Sequence, residues 1–228
     1  MFTQIYSIQT VEEALECVRA GVDYIGVASG TGAGLPAEIS LEQGRAVFDA
    51  ARGRIGLVAL TVADGPDPIY EMARALDPDV VHLCGNNYAA DPAFCADIRR
   101  VCPGILVEQA ISVTGPEAVD KAEYFASFCD TLILDSSDPN ISGIGASGIV
   151  NDWDVCAKIV KRVKCRVILA GGLGPDNVAE AIAAVRPWGV DSMTRTNRAL
   201  PDGSVRKDAE KVRAFVRAAR EAALKWGL

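Results

Sequence analysis

One histidine, His82, is present in 228 residues, and the seven cysteines include no C-x-x-C pair. The familiar cysteine-based metal spacings are therefore absent. The odd, scattered set Cys17, Cys84, Cys95, Cys102, Cys129, Cys156 and Cys165 reads as reduced, mostly buried, small apolar residues. No basic run occurs, and 30 acidic against 23 basic residues leave a formal net charge of -7. That balance argues against a nucleic-acid or membrane-surface footprint. No apolar stretch reaches the length of a membrane span, and Met1-Phe2-Thr3-Gln4 enters strand-like sequence without a charged leader. The expectation is a cytoplasmic protein with a small-molecule partner, no nucleic acid and no membrane. No proline-rich linker, charged block, low-complexity segment or residue-level repeat interrupts the chain, so residues 1–228 are expected to form one domain.

What is present is an alternation. Half the residues are hydrophobic, and eight near-continuously apolar runs read as buried parallel strands: Gln4–Ile8, Tyr24–Val27, Ile55–Thr61, Val80–Cys84, Ile105–Glu108, Thr131–Asp135, Arg166–Ala170 and Val190–Met193. Between them lie helical periodicities. The first runs from Val11, with Thr10 as N-cap and Gly21 as its stop, and the last runs from Lys207 to Trp226. Eight βα units in this length predict an α/β protein, a single (β/α)8 TIM barrel with its site at the carboxyl ends of the strands. A doubly wound open sheet is the alternative.

The most informative stretch is Val167-Ile168-Leu169-Ala170-Gly171-Gly172-Leu173-Gly174-Pro175-Asp176-Asn177-Val178. A strand ends in two glycines that let backbone approach a ligand closely, and Pro175 and Asp176 are expected to begin a helix whose free amides face an anion. Phosphate is the ligand this predicts. Two glycine-rich loops, 28–39 and 136–149, also follow strands and are expected to cover the ligand.

These residues resemble a known family. Leu169-Ala170-Gly171-Gly172-Leu173-x-Pro175-x-Asn177-Val178 followed by Gly189-Val190-Asp191 is similar to the phosphoribosylanthranilate isomerases, the barrel enzymes of tryptophan biosynthesis. Leu132-Ile133-Leu134-Asp135 looks like the family's acid-bearing strand. Gly145-Ala146-Ser147-Gly148-x-x-x-Asp152-Trp153 resembles its G-G-T-G-x-x-x-D-W loop. Val81-His82-Leu83-Cys84-Gly85 is similar to V-Q-L-H-G, and Lys207-Asp208 to a late K-D. The resemblance implies an Amadori rearrangement, in which an acid protonates the furanose ring oxygen and a base removes the C2 proton.

Three departures bear on that implication. Where the family's first strand reads K-I-C-G, with the cysteine as base, this chain reads Gln4-Ile5-Tyr6-Ser7. Where the family has S-P-R, whose arginine holds the anthranilate carboxylate, this chain has Leu35-Pro36-Ala37-Glu38. The family's phosphate-contacting S-S-G is replaced by Met193-Thr194-Arg195.

The expected catalytic residues are Asp135 as acid, its pKa raised by desolvation, with Tyr6 and His82 as acid, base or donor. Phosphate is assigned to Gly171, Gly172, Thr194 and Arg195. Glu108, Cys84, Gly145 and Ser147 are further substrate-contacting candidates. No cofactor and no metal is expected, although His82, Glu108 and Asp135, ending successive strands, form a possible ligand set. The resulting expectation is a phosphosugar isomerase or epimerase with an altered substrate. Its alternatives are phosphoribosylanthranilate isomerase itself, a metal-dependent sugar-phosphate epimerase or aldolase, and a non-catalytic phosphometabolite-binding paralogue. Monomer and homodimer are both left open.

Overall fold

The computed structural model describes residues 1–136, 143–145 and 150–228. The eight apolar runs become strands β1 (Phe2–Ile5), β2 (Tyr24–Ala28), β3 (Gly56–Thr61), β4 (Val80–Leu83), β5 (Leu106–Ser112), β6 (Thr131–Asp135), β7 (Arg166–Leu169) and β8 (Gly189–Ser192). Each pairs in parallel with the next. The barrel closes where Phe2, Thr3, Gln4 and Ile5 of β1 lie opposite Gly189, Val190, Asp191 and Ser192 of β8. Helices α1 (Val11–Ala20), α2 (Leu41–Ala51), α3 (Pro66–Leu76), α4 (Pro92–Val101), α5 (Ala118–Phe125), α6 (Trp153–Arg162), α7 (Val178–Val185) and α8 (Ala209–Trp226) alternate with the strands. The TIM-barrel expectation holds.

The strands are apolar throughout because both their faces are covered. Residues such as Leu57, Val81, Leu132 and Leu169 join Phe48, Ile98 and Phe215 of the helices in one core. The alternate positions Val58, Val80, Ala110, Ile133 and Ile168 fill the barrel. Local signals act as read at α1, where Thr10 and Glu13 form a reciprocal capping box and Gly21 ends the helix at φ 75°. Among the described residues, no helix is long and apolar enough to cross a membrane. All seven cysteines are free thiols.

Several boundaries differ from the sequence expectation. β1 ends at Ile5 because Ser7 turns the chain at φ 66°, leaving Tyr6 just beyond the strand. β5 runs on to Ser112, so Glu108 lies within that strand, opposite His82 and Thr131, instead of ending it. α7 begins at Val178, three residues after Pro175. Asn177 ties the intervening turn back to the glycines: its Oδ1 accepts from Gly174 N at 2.8 Å and its Nδ2 donates to Gly172 O at 3.1 Å, local side-chain bonds that compete with an earlier helix start. After β8, a short 3-10 turn (Thr194–Thr196) leads into an antiparallel hairpin of β9 (Asn197–Ala199) and β10 (Val205–Lys207). Lys207 therefore ends a strand, and Asp208 caps α8 by accepting from Glu210 N and Lys211 N.

Candidate active site

Period-two alternation carries Tyr6, His82, Cys84, Asp135, Asp191 and Met193 to the carboxyl mouth of the barrel, where they bound one cavity. Its outer wall is apolar, formed by Leu35, Pro36, Leu60, Val62 and Ile144. Gly145 completes the wall beside Asp135, and the fit is close: a Cβ on Gly145 would stand 2.5 Å from Asp135 Oδ2. Ser147 lies outside the described residues.

Beneath this cavity the barrel interior holds polar groups. Tyr6, His82, Glu108, Gln4 and Asp191 are all buried. The Tyr6 hydroxyl lies 2.6 Å from His82 Nδ1, and Gln4 Nε2 donates to Glu108 Oε1 at 3.3 Å. Burial moves each titratable group toward its neutral form. It lowers His82 to about 3 and raises Glu108 to about 7. Asp191 is raised well above the usual carboxylate range by burial and by the facing Asp135 and Glu108. Tyr6 is raised well above 10 by burial and by Glu108 and Asp191. A phenol so placed is no base by itself. The Cys84 thiol is likewise pushed far up by burial, and its Sγ donates to Thr61 O at 3.4 Å.

Asp135 ends β6 at the floor of the cavity. Desolvation raises its pKa to about 7, against the lowering effect of Ser136, whose amide donates to Oδ1 at 2.7 Å. A carboxyl so poised keeps a substantial protonated fraction near neutrality, as a proton donor needs.

The glycine turn after β7 adjoins the same carboxyls. Gly171 and Gly172 have φ of 84° and 59°, a conformation that favours glycine. With Thr194 they line a small cleft that also touches Asp135, Asp191 and Met193. Asn151 fastens this turn: its Nδ2 donates to Leu134 O and Ala170 O, both at 3.1 Å. Arg195 points elsewhere in the structure, pairing with Asp176 at 2.9 Å on the surface.

The structure thus brings Tyr6, His82, Cys84, Asp135 and Gly145 to one cavity and Gly171, Gly172 and Thr194 to an adjoining cleft. Among the described residues, no three His, Cys, Asp or Glu side chains converge as metal ligands. Gln4, Asp191, Asn151 and Lys207 were given no site role by the sequence reading, although Asp191 and Lys207 lie in the family-like Gly189-Val190-Asp191 and Lys207-Asp208 matches. Asp191 had a further usable signal, since it stands two residues before Met193 and must share its face.

A closed eight-stranded barrel with shifted carboxyls and a glycine turn at its carboxyl mouth defines the class, the (β/α)8 barrels that carry acid–base sites at their strand ends. A model of the family described as N-(5'-phosphoribosyl)anthranilate (PRA) isomerase matches residues 3–218, and the chain belongs to that family. The N-(5'-phosphoribosyl)anthranilate isomerase of Haloferax volcanii is 36% identical over 203 residues, covering 89% of this chain and 86% of the relative. The phosphoribosyl anthranilate isomerase of Thermotoga maritima superposes with a TM-score of 0.79 at 26% identity, covering 97% of this chain and 99% of the other. A phosphoribosyl anthranilate isomerase in complex with reduced 1-(o-carboxyphenylamino)-1-deoxyribulose 5-phosphate superposes at 0.77 with 25% identity, covering 97% and 99% of the two chains.

Proposed function

We propose that the protein isomerises a 5-phosphoribosyl amine by an Amadori-type rearrangement, with N-(5'-phosphoribosyl)anthranilate as the substrate to which its relatives point. The observation that carries this reading is the position of Asp135, which borders both the apolar cavity and the glycine cleft. A ligand with its phosphate at Gly171, Gly172 and Thr194 and its aromatic group against Leu35, Pro36, Leu60 and Val62 passes its ribose across that carboxyl. Asp135 protonates the ring oxygen, the ring opens to an imine, and a base takes the C2 proton. The apolar wall suits an aromatic amine and excludes water from the imine. Arg195 joins the phosphate site if its pairing with Asp176 gives way to a ligand oxyanion of higher charge.

A second reading is favoured by one observation. Leu35, Pro36 and Ala37 supply no cation at the position where the family's S-P-R motif would hold the anthranilate carboxylate. On that reading the substrate is a phosphosugar without the carboxylate. Steady-state turnover of phosphoribosylanthranilate, followed by loss of its fluorescence, separates the two. Turnover abolished by Asp135→Asn supports the first, and turnover only of a descarboxy (anilide) analogue supports the second.

A further inference from the structure

Tyr6, His82 and Glu108 form a line inside the barrel that the acid step at Asp135 leaves unused. His82 Nδ1 is 2.6 Å from the Tyr6 hydroxyl and 3.6 Å from Glu108 Oε1. Glu108 raises the Tyr6 hydroxyl's pKa and Tyr6 lowers that of Glu108, so these two buried groups act on one another across the same interior. Tyr6, His82 and Glu108 are 4%, 4% and 1% exposed, so no bulk water completes their hydrogen bonds. His82 Nε2 is buried and has no partner among the described residues, while the His82 side chain lines the cavity beside Asp135. One ring nitrogen is engaged by the line, and the other is left for the ligand.

Two hydrogen-bond directions satisfy such a line. When Glu108 is ionised, the Tyr6 hydroxyl donates to Glu108, His82 Nδ1–H donates to the Tyr6 oxygen, and Nε2 carries a lone pair. When Glu108 is protonated, it donates to the Tyr6 oxygen, Tyr6 donates to Nδ1, and Nε2 carries the hydrogen.

We propose that Tyr6 relays a proton between His82 and Glu108, making His82 Nε2 the general base of the isomerisation and Glu108 the proton's final acceptor. The proposal rests on the reaction proposed above. The C2–H bond breaks and its electron pair forms the C1–C2 double bond, while the π pair of the protonated imine returns to nitrogen. The C2 proton passes to Nε2, the Nδ1 proton to the Tyr6 oxygen, and the Tyr6 proton to Glu108. His82 begins and ends neutral and changes only its tautomer.

The environment opposes each charged alternative. Burial holds His82 at about 3, so a lasting imidazolium is costly, and Tyr6 is raised too far to serve as phenolate. Glu108, raised to about 7, is the matched acceptor. Its setting includes Gln4 on β1 and Tyr6 just beyond it, Tyr24 on β2, His82 and Cys84 at β4, Thr131 and Asp135 on β6, and Asp191 on β8, with Lys207 acting on Asp191. Gly26 admits the phenol ring, since a Cβ there would overlap it.

His82 is the only histidine, so 15N-histidine labelling of the full chain gives a single imidazole signal set. Raising pH from about 6 to about 8 should convert the neutral ring from the Nε2–H to the Nδ1–H tautomer as Glu108 ionises. Glu108→Gln should freeze the tautomer, and Tyr6→Phe should uncouple it from pH. With phosphoribosylanthranilate, Tyr6→Phe should lower kcat about 100-fold with little change in KM, and should straighten a bowed proton inventory. A wild-type ring fixed in one tautomer across this range overturns the relay, as does Tyr6→Phe with wild-type kcat. Turnover without the tautomer switch leaves the reaction standing and removes the relay. A tautomer switch without turnover removes the reaction and leaves the relay.

Discussion

The ammonium of Lys207, at the end of β10, donates to the main-chain carbonyl of Met193 at 2.8 Å and to Thr196 Oγ1 at 3.3 Å. The loop after β8, which carries Thr194 into the glycine cleft, is thus held from behind by a buried charge. Glu13 secures the other side by accepting from Lys207 N at 2.8 Å. Replacing the ammonium by an apolar chain keeps the volume but removes two hydrogen bonds; Met193 O keeps the one from Thr196 Oγ1 at 3.1 Å, so the cost is about 1 kcal/mol. Lys207→Met is expected to raise KM for a phosphorylated substrate about 10-fold with a smaller effect on kcat, measured by steady-state kinetics. An unchanged KM would separate this loop from phosphate binding.

Asp135→Asn removes the transferable proton while keeping the side chain's shape. A loss of about 10²–10⁴ in kcat is expected, with KM nearly constant, if Asp135 is the acid proposed above, since an acid acts in the transition state. Since the acid form is required and Asp135 lies at about 7, wild-type activity should fall as pH rises above neutrality. Activity rising smoothly to about pH 9 would contradict the role.

Stability should show the opposite of the usual carboxylate trend. Glu108 has a folded pKa of about 7 against an ordinary value of 4.5, so its contribution is fully present below the unfolded value and is lost as pH rises through the folded one. From this carboxyl alone the loss is about 3 kcal/mol between about pH 4.5 and 7.5. Asp191 is shifted in the same direction. Thermal unfolding is expected to give a higher Tm at about pH 5.5 than at about pH 7.5. Glu108→Gln should raise the Tm at the higher pH and flatten the difference, and an undiminished slope would assign it elsewhere.

Ala37 stands where the family's carboxylate-holding arginine is expected and already adopts φ 61°. Ala37→Arg therefore adds a cation without adding a new left-handed residue. If anthranilate is the natural head group, the substitution should change KM for phosphoribosylanthranilate by less than about threefold; if it is not, KM should fall about 10-fold or more. Steady-state assays of the two proteins decide between the readings.

The sequence by itself determined the barrel, because eight apolar runs separated by amphipathic helices have one compact way to bury every strand on both faces. It also marked Asp135 and the Gly171-Gly172 turn, whose local chemistry is readable from adjacent residues. The tip of β1, the length of β5 and the hairpin after β8 were decided by tertiary contacts. Three-residue strands carry no legible period, and Ser7 takes a left-handed turn that its side chain does not advertise. Most of the site's electrostatics also lay beyond the sequence. Tyr6, His82, Glu108 and Asp191 are separated by tens of residues, and only barrel closure places them within one desolvated interior, where burial reorders their proton affinities.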